Sequence, residues 1–471
     1  MTDSRTDVYA APDTELYRAA TTPHNATVTQ HPAAVAHPHT AEEVADAVQW
    51  AVRHDLRVAV QASGHGAGAP IGADHLLINT SDMNTVHVDA AARIAHVGAG
   101  TTWTGVNAVA EPHGLLGLAG TSPTVSVSGY TFGGGVGFLT RPHGMASSTL
   151  LAVDYVDGTG RIRRAAEDAD DEMDREALWA FRGGGGVGIA TALTLELVAP
   201  HAVWAGYRVW SIDALEPVVA AWTDAMPNIG EALSTSLSVL HTPPGAPMFP
   251  PALRGVPVVH LAFASPRAAE AAEPLLQALR SAPTAVVDDS WGPADAGRLA
   301  RIHLDPPNPV PALGIGRWLG PNAPAVSADI LRTAAEVDSS VVMVELRNLD
   351  TMARARDGAL TAVPGPYLLH AVGTAGDITA RARTEDGLTR VRAAADTADI
   401  GRSAGPFADG RAADRNGFGH DDLQRLARIS TTVDPDRCLA PTRTLAAFHT
   451  TTAAHLERAV KMAKGDDQLA Q

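Results

Sequence analysis

Three glycine-rich segments, Ala62–Gly68, Thr121–Gly137 and Arg182–Gly188, fall within the first 200 residues, each at the end of a run with strand character. Glycine at this density does not build the interior of a helix or a strand, because it loses more conformational freedom on ordering than any other residue. It serves where the chain must turn sharply or where a ligand must come close to the main chain. In the first segment the run Val58-Ala59-Val60 gives way to Ala62-Ser63-Gly64-His65-Gly66-Ala67-Gly68, small residues around a single imidazole. Consecutive amides in such a stretch can form an anion-binding concavity, and His65 places a nucleophilic ring at its mouth. Any one of these segments alone would serve an ordinary turn. Three in one domain point to a single extended ligand whose phosphates meet backbone donors along all of them.

Other readings of the glycines fail on context. Gly64–Ala69 and Gly183–Gly188 both fit the pattern G-x-G-x-x-[GA], but a dinucleotide fold needs a helix directly after it. Pro70 and Gly72 oppose a helix after the first, and a leucine alternation (Leu193, Leu195, Leu197) follows the second. No G-x-x-x-x-G-K-[ST] loop is present, which sets aside an NTPase, and Gly120-Thr121-Ser122-Pro123 lacks the second glycine of a hydrolase elbow. His31, His37 and His39 cluster without a carboxylate cage and read as solvated loop histidines, so no metal site is expected. Cys438 is the single cysteine, which excludes an internal disulfide framework. A net charge of −16 argues against a nucleic-acid partner. No apolar run reaches a membrane-spanning length and the N-terminus lacks a signal-like segment, so a cytoplasmic protein is expected.

At 471 residues the chain exceeds one ordinary core. Residues 41–54 place Val44, Val48, Ala51 and Val52 at helical spacing, with Thr40 and Glu43 forming a capping box. Strands are expected at Arg57–Val60, Leu76–Asn79 and Ala92–Val97, a helix over 103–113, and a hairpin from Val153–Val156 and Ile162–Arg164. Past Pro200 the glycine clusters thin and proline-rich loops appear. Candidate strands Val256–Phe263 and Val341–Leu346 alternate with helical stretches such as Ala268–Leu279, which reads as an α+β domain with a mostly antiparallel sheet. A helix over Asp421–Ile429 and a frayed tail from Ala454 complete the chain.

Taken in order, Ala41–Val52, Val58–Gly68, Leu77–Met83, Ala95–Trp103, Pro112–Gly120, Ser122–Gly144, Val153–Gly158, Leu178–Thr194 and Asp434–Leu445 resemble the FAD-linked oxidoreductases of the vanillyl-alcohol oxidase superfamily, in its berberine-bridge-enzyme-like branch. The resemblance implies an α+β protein. A PCMH-type FAD-binding domain of two α/β subdomains (1–199) carries an inserted substrate domain with a mostly antiparallel sheet and helices (200–405). A C-terminal return (406–453) and a polar tail (454–471) follow. It further implies that His65 is bonded to the flavin 8α-methyl. Ala62, Ser63, Gly64, Gly66 and Ala67 would line the cofactor in the first segment. Thr121, Ser122, Thr124, Val125, Gly129, Gly133, Gly134, Gly135 and Gly137 would cradle the pyrophosphate, and Val187, Gly188 and Ile189 would pass nearby.

The departures bear on function. Many relatives carry a second, cysteinyl tether where this chain has Ser122, and a serine hydroxyl cannot replace that thioether. FAD held by one covalent bond, through His65, is therefore expected. Gly185-Gly186-Val187-Gly188 is one residue shorter than the family's segment. Where members carry a tyrosine pair that accepts a proton, this chain reads Asn416-Gly417-Phe418. His143 occupies the place of another active-site tyrosine and titrates near neutrality, so it is a candidate base. Glu345 resembles a carboxylate facing the flavin; it would serve as a base with a raised pKa, or else form an ion pair with Arg347 on the same strand face. Tyr367 and His370, on a second strand, are further catalytic candidates. The expected activity is oxidation of a C–H bond in a small molecule, a polyketide or other secondary metabolite, with O2 as acceptor, by a monomer or homodimer that engages neither nucleic acid nor membrane. A cyclase, lyase or oxygenating rearrangement enzyme without simple net oxidation is the alternative. A non-catalytic flavoprotein is a third possibility that substrate bleaching of the flavin would remove.

Overall fold

The computed structural model describes residues 8–306, 308–353, 355–411 and 417–442; Asn416, residues 443–445 and the tail from Ala454 lie outside them. The first glycine segment hangs from a four-stranded sheet in the order Tyr9–Ala10, Ala34–Ala36, His75–Asn79, Arg57–Gln61, its last three strands parallel. Leu76, Leu77 and Ile78 are all fully buried, as expected of a strand covered on both faces. One cover is the helix Ala41–Arg53, which lays Val44, Val48 and Ala51 onto Val58, Leu76 and Ile78. Its capping is one-sided. The Thr40 hydroxyl accepts from the Glu43 amide at 3.2 Å, but the Glu43 carboxylate turns to the His39 amide at 2.6 Å instead of closing the box on Thr40.

A five-stranded antiparallel sheet follows, ordered Val86–Asp89, Ile94–Gly98, Ile189–Glu196, Leu150–Val156, Ile162–Ala166. The strand expected from Ala92 starts at Ile94. The Asp89 carboxylate accepts from the amides of Ala91 and Ala92, and Arg93 turns left-handed (φ 56°), so these residues make a hairpin turn. Helix Glu172–Phe181 covers this sheet and runs straight into the third glycine segment, which therefore follows a helix and not the strand expected there.

The remaining core is an eight-stranded, wholly antiparallel sheet: Val287–Pro293, Trp204–Ser211, Pro257–Ser265, Ser234–His241, Val341–Asn348, Tyr367–Thr374, Ala312–Leu319, Asp399–Ser403. Alternation divides its side chains. Leu237, Val239, Val259, Leu261, Val344, Leu346 and Leu369 join Trp222, Ile330 and Leu388 in one core against the helices Leu215–Ala225, Ala323–Arg332 and Ile378–Ala395. On the other face Leu368 and Trp318 meet Val136 and Met145, from the second glycine segment and just beyond it. The helix expected over Ala268–Leu279 is split into a tight turn, Ala269–Ala272, and a short helix, Glu273–Ala278. Pro274 lacks the amide that would join them. After the helix His420–Val433 the chain returns to the first sheet, where the Val58 amide donates to Cys438 and the Ala440 amide to Val58.

Candidate active site between the glycine segments and the large sheet

The three glycine segments converge. The Ser126 amide donates to the Ser63 hydroxyl at 3.2 Å, and His65 Nε2 lies 2.9 Å from the Thr124 hydroxyl, which joins the first segment to the second. The Gly185 amide donates to the Phe132 carbonyl at 2.7 Å, which joins the second to the third. Glycine is required at two of these places by geometry. Gly64 has φ 73° and a Cβ there would stand 2.8 Å from Pro23. Gly135 has φ 69° and a Cβ would stand 2.5 Å from the Tyr130 ring.

His65 is half-buried, with its ring stacked on His24 at 3.7 Å between centroids. Burial, and then the neighbouring His24, push its pKa down to about 4, against the opposing pull of Asp305 and Asp409. The ring is therefore neutral near pH 7, with a lone pair to offer. Ser122 Oγ sits 3.4 Å from the Thr124 hydroxyl, and the one cysteine, Cys438, is buried beside the first sheet. Val125 bonds through its carbonyl to the Trp103 amide, and the Gly137 amide donates to Thr140. Val187 and Ile189 are buried in the cores of the two smaller sheets, and a Cβ on Gly188 would press on Tyr155.

Opposite lies a buried polar cluster. Strand register sets His260, Ser238, Glu345, His370 and Gly316 side by side across five strands, on the face turned from the helices. Glu345 is wholly buried. Its Oε1 accepts from Arg347 Nε at 2.7 Å, from His303 Nε2 at 2.8 Å, and from the Ser236 hydroxyl. His303 Nδ1 is 2.9 Å from Asp305, and His370 Nε2 is 2.8 Å from Asp409. Burial would raise the Glu345 pKa, but Arg347 and His303 outweigh it, so the carboxyl is held well below its ordinary range. The raised pKa expected for Glu345 is corrected by this ion pair. Burial would likewise lower His303, but Asp305 and Glu345 lift it to about 9. His303, Asp305 and Asp409 carried no sequence signal: they lie in irregular segments with no periodicity or motif around them.

The other candidates separate. His143 ends the short helix Thr140–His143, and its Nε2 is buried without a hydrogen-bond partner. Burial and then Arg267 lower its pKa, which leaves a neutral imidazole with an open nitrogen. Tyr367 does not join the cluster. It faces the helices, edge-on to Trp222 with ring centroids 6.1 Å apart. Tyr367→Phe should accordingly change turnover by less than about twofold and stability by no more than about 1 kcal/mol, measured by steady-state assay and urea unfolding. Of the three loop histidines, His31 and His39 are exposed, whereas His37 is buried with Asp82 at 3.6 Å. No helix among the described residues is long and apolar enough to cross a membrane.

The geometry fits an FAD cradle. The glycines of the second segment are closely packed against the chain itself, where a Cβ would meet Pro406, Met145, Tyr130 or Ala119, and the Tyr130 hydroxyl beside them is buried with no partner, a polar group that a bound cofactor would satisfy. Comparison with known proteins agrees. Residues 32–166 match the family described as FAD binding domain. An uncharacterised FAD-linked oxidoreductase of Bacillus subtilis (strain 168) is 32% identical over 202 residues, 42% of this chain and 44% of that protein. The match thus spans less than half the length of that curated relative. The crystal structure of a 6-hydroxy-D-nicotine oxidase from Arthrobacter nicotinovorans superposes with a TM-score of 0.75 at 21% identity, over 93% of this chain and 96% of that one. BBE-like 1 of Physcomitrella patens superposes with a TM-score of 0.78 at 18% identity, over 93% and 96%. Residues 32–166 thus resemble an FAD binding domain, and the chain as a whole shares its fold with the 6-hydroxy-D-nicotine oxidase and BBE-like 1.

Proposed function

We propose that the chain is an FAD-dependent oxidoreductase whose flavin is covalently attached through His65 alone and which oxidises a C–H bond of a small secondary metabolite, with O2 as the final acceptor. The observation that carries this reading is the state of His65. A neutral imidazole stands at the meeting point of the first two glycine segments, with one ring nitrogen engaged by Thr124 and a serine where a second tether would be. Attachment at the flavin 8α carbon needs such a nucleophile, because an imidazolium has no lone pair to give.

Bound FAD would supply a two-electron acceptor for the substrate. Ser63, Gly64, Thr124 and the Gly133–Gly137 turn would hold it through main-chain and hydroxyl contacts. His143 Nε2, neutral and unpartnered, would take the proton that leaves with substrate oxidation. Glu345, kept ionised by Arg347 and His303, would fix the polar face that the substrate meets rather than serve as a strong base.

The test is anaerobic mixing of purified protein with candidate metabolites, followed by the flavin absorbance and the product mass. Bleaching, recovery of colour on admitting air, and a product two hydrogens lighter are expected. An isomeric product would sink the oxidase reading in favour of a cyclase.

A further inference from the structure

His303 bonds to two carboxylates of the buried cluster, Glu345 and Asp305, one through each ring nitrogen. It is 5% exposed and sits in the irregular segment between the short helix Ala296–Leu299 and the strand Ala312–Leu319. Nε2 meets Glu345 at 2.8 Å and Nδ1 meets Asp305 at 2.9 Å. A ring with both nitrogens on carboxylate oxygens must donate from both, which requires the imidazolium. Arg347 Nη2 also lies 3.2 Å from Nε2. A guanidinium has only donors and cannot accept that proton, so Nε2–H belongs to Glu345, and the carboxylate between the two cations makes their proximity tolerable.

The surroundings of His303 are settled on every side. From its own segment comes Asp305, and from strand Val341–Asn348 come Glu345 and Arg347. Strand Pro257–Ser265 brings His260, whose Nε2 is 3.0 Å from the Ile302 carbonyl and which stays neutral under burial and the His303 charge. Phe138, next to the second glycine segment, presents its ring at 6.4 Å. Beyond Asp305, its charge reaches His24 and His65, and beyond Glu345 stands His370, bonded to Asp409.

We propose that His303 is a positioning residue: its protonated ring clamps Glu345 on the large sheet to Asp305 beside the His65 corner, and loss of that proton sets the alkaline limit of turnover. Deprotonation releases one proton to solvent and leaves Nε2 or Nδ1 without a hydrogen to donate. One of the two carboxylates then loses its clamp, and the remaining charges, Glu345 and Asp305 against Arg347, no longer balance. The sign follows from the shift. The folded value, about 9, lies above the ordinary 6.5, so the stabilisation is complete below about pH 6.5 and fades as pH rises through about 9.

The idea rests on the oxidoreductase reading for its kinetic arm but not for its spectroscopic one. Histidine-labelled protein, wild type, His303→Gln and Asp305→Asn, should be titrated by NMR, and kcat/KM followed against pH on any substrate that bleaches the flavin. The wild type should show one imidazole titrating near pH 9 and an alkaline fall in kcat/KM at the same pH. His303→Gln should lose both, with kcat lower by on the order of a hundredfold. Asp305→Asn, which keeps the ring but removes one carboxylate, should move both down by roughly 1–3 pH units. Should His303→Gln not fold, the Asp305→Asn displacement decides alone. An alkaline limb unmoved in the variants, or no wild-type imidazole titrating above pH 8, overturns the proposal. A protein that binds no flavin would sink the oxidoreductase reading while leaving the NMR titration to judge the clamp.

Discussion

His65→Ala is expected to remove all flavin that survives denaturation with the chain. Wild-type protein, precipitated with acid or unfolded in detergent, should keep its yellow colour, and tryptic digestion should leave the flavin on the peptide that contains Ser63-Gly64-His65. The variant should release any colour to the supernatant. The effect should be complete rather than graded, because Ser122 offers no second anchor and the single cysteine is committed to the core beside the first sheet. The variant should still fold, since His65 is only half-buried and its bonds are one hydroxyl contact and one ring stack. Colour that stays with the His65→Ala chain would refute attachment at this residue.

Glu345→Gln carries the second large effect. The glutamate is wholly buried and receives three donors, two of them on cations. Glutamine keeps the shape but removes the charge, so Arg347 and His303 are left in a buried site where Asp305, bonded to His303, stands against two cations. Breaking a buried pair in this way typically costs about 3–5 kcal/mol, a large part of the roughly 5–15 kcal/mol by which folded proteins are stable. Urea unfolding should show a midpoint lowered accordingly, together with loss of turnover. A change below about 1 kcal/mol would mean that water already solvates the cluster.

Much of the chain was legible in its residues because the signals were local. The glycine segments needed only their own composition to announce turns, and the 41–53 helix needed only its spacing and the threonine before it. The Ala92 boundary failed because an aspartate three residues upstream captured the amides for a turn. Alternation on a strand told that Glu345 and Arg347 share a face, and that face proved to carry their ion pair. It could not tell which face would be covered by helices. Tyr367 and His370 looked equivalent in sequence, yet Tyr367 packs on Trp222 and His370 joins the carboxylates.

The sequence by itself determined the three glycine-rich turn segments and the antiparallel character of the large sheet, because backbone freedom and side-chain period act over a few residues. Only the tertiary structure decided the charge state of the site. His303 and Glu345 are 42 residues apart in the chain, and His65 takes its depressed basicity from burial and then from His24. Electrostatic energy depends on distances through space and on how much water is excluded, and neither quantity is written in the order of residues.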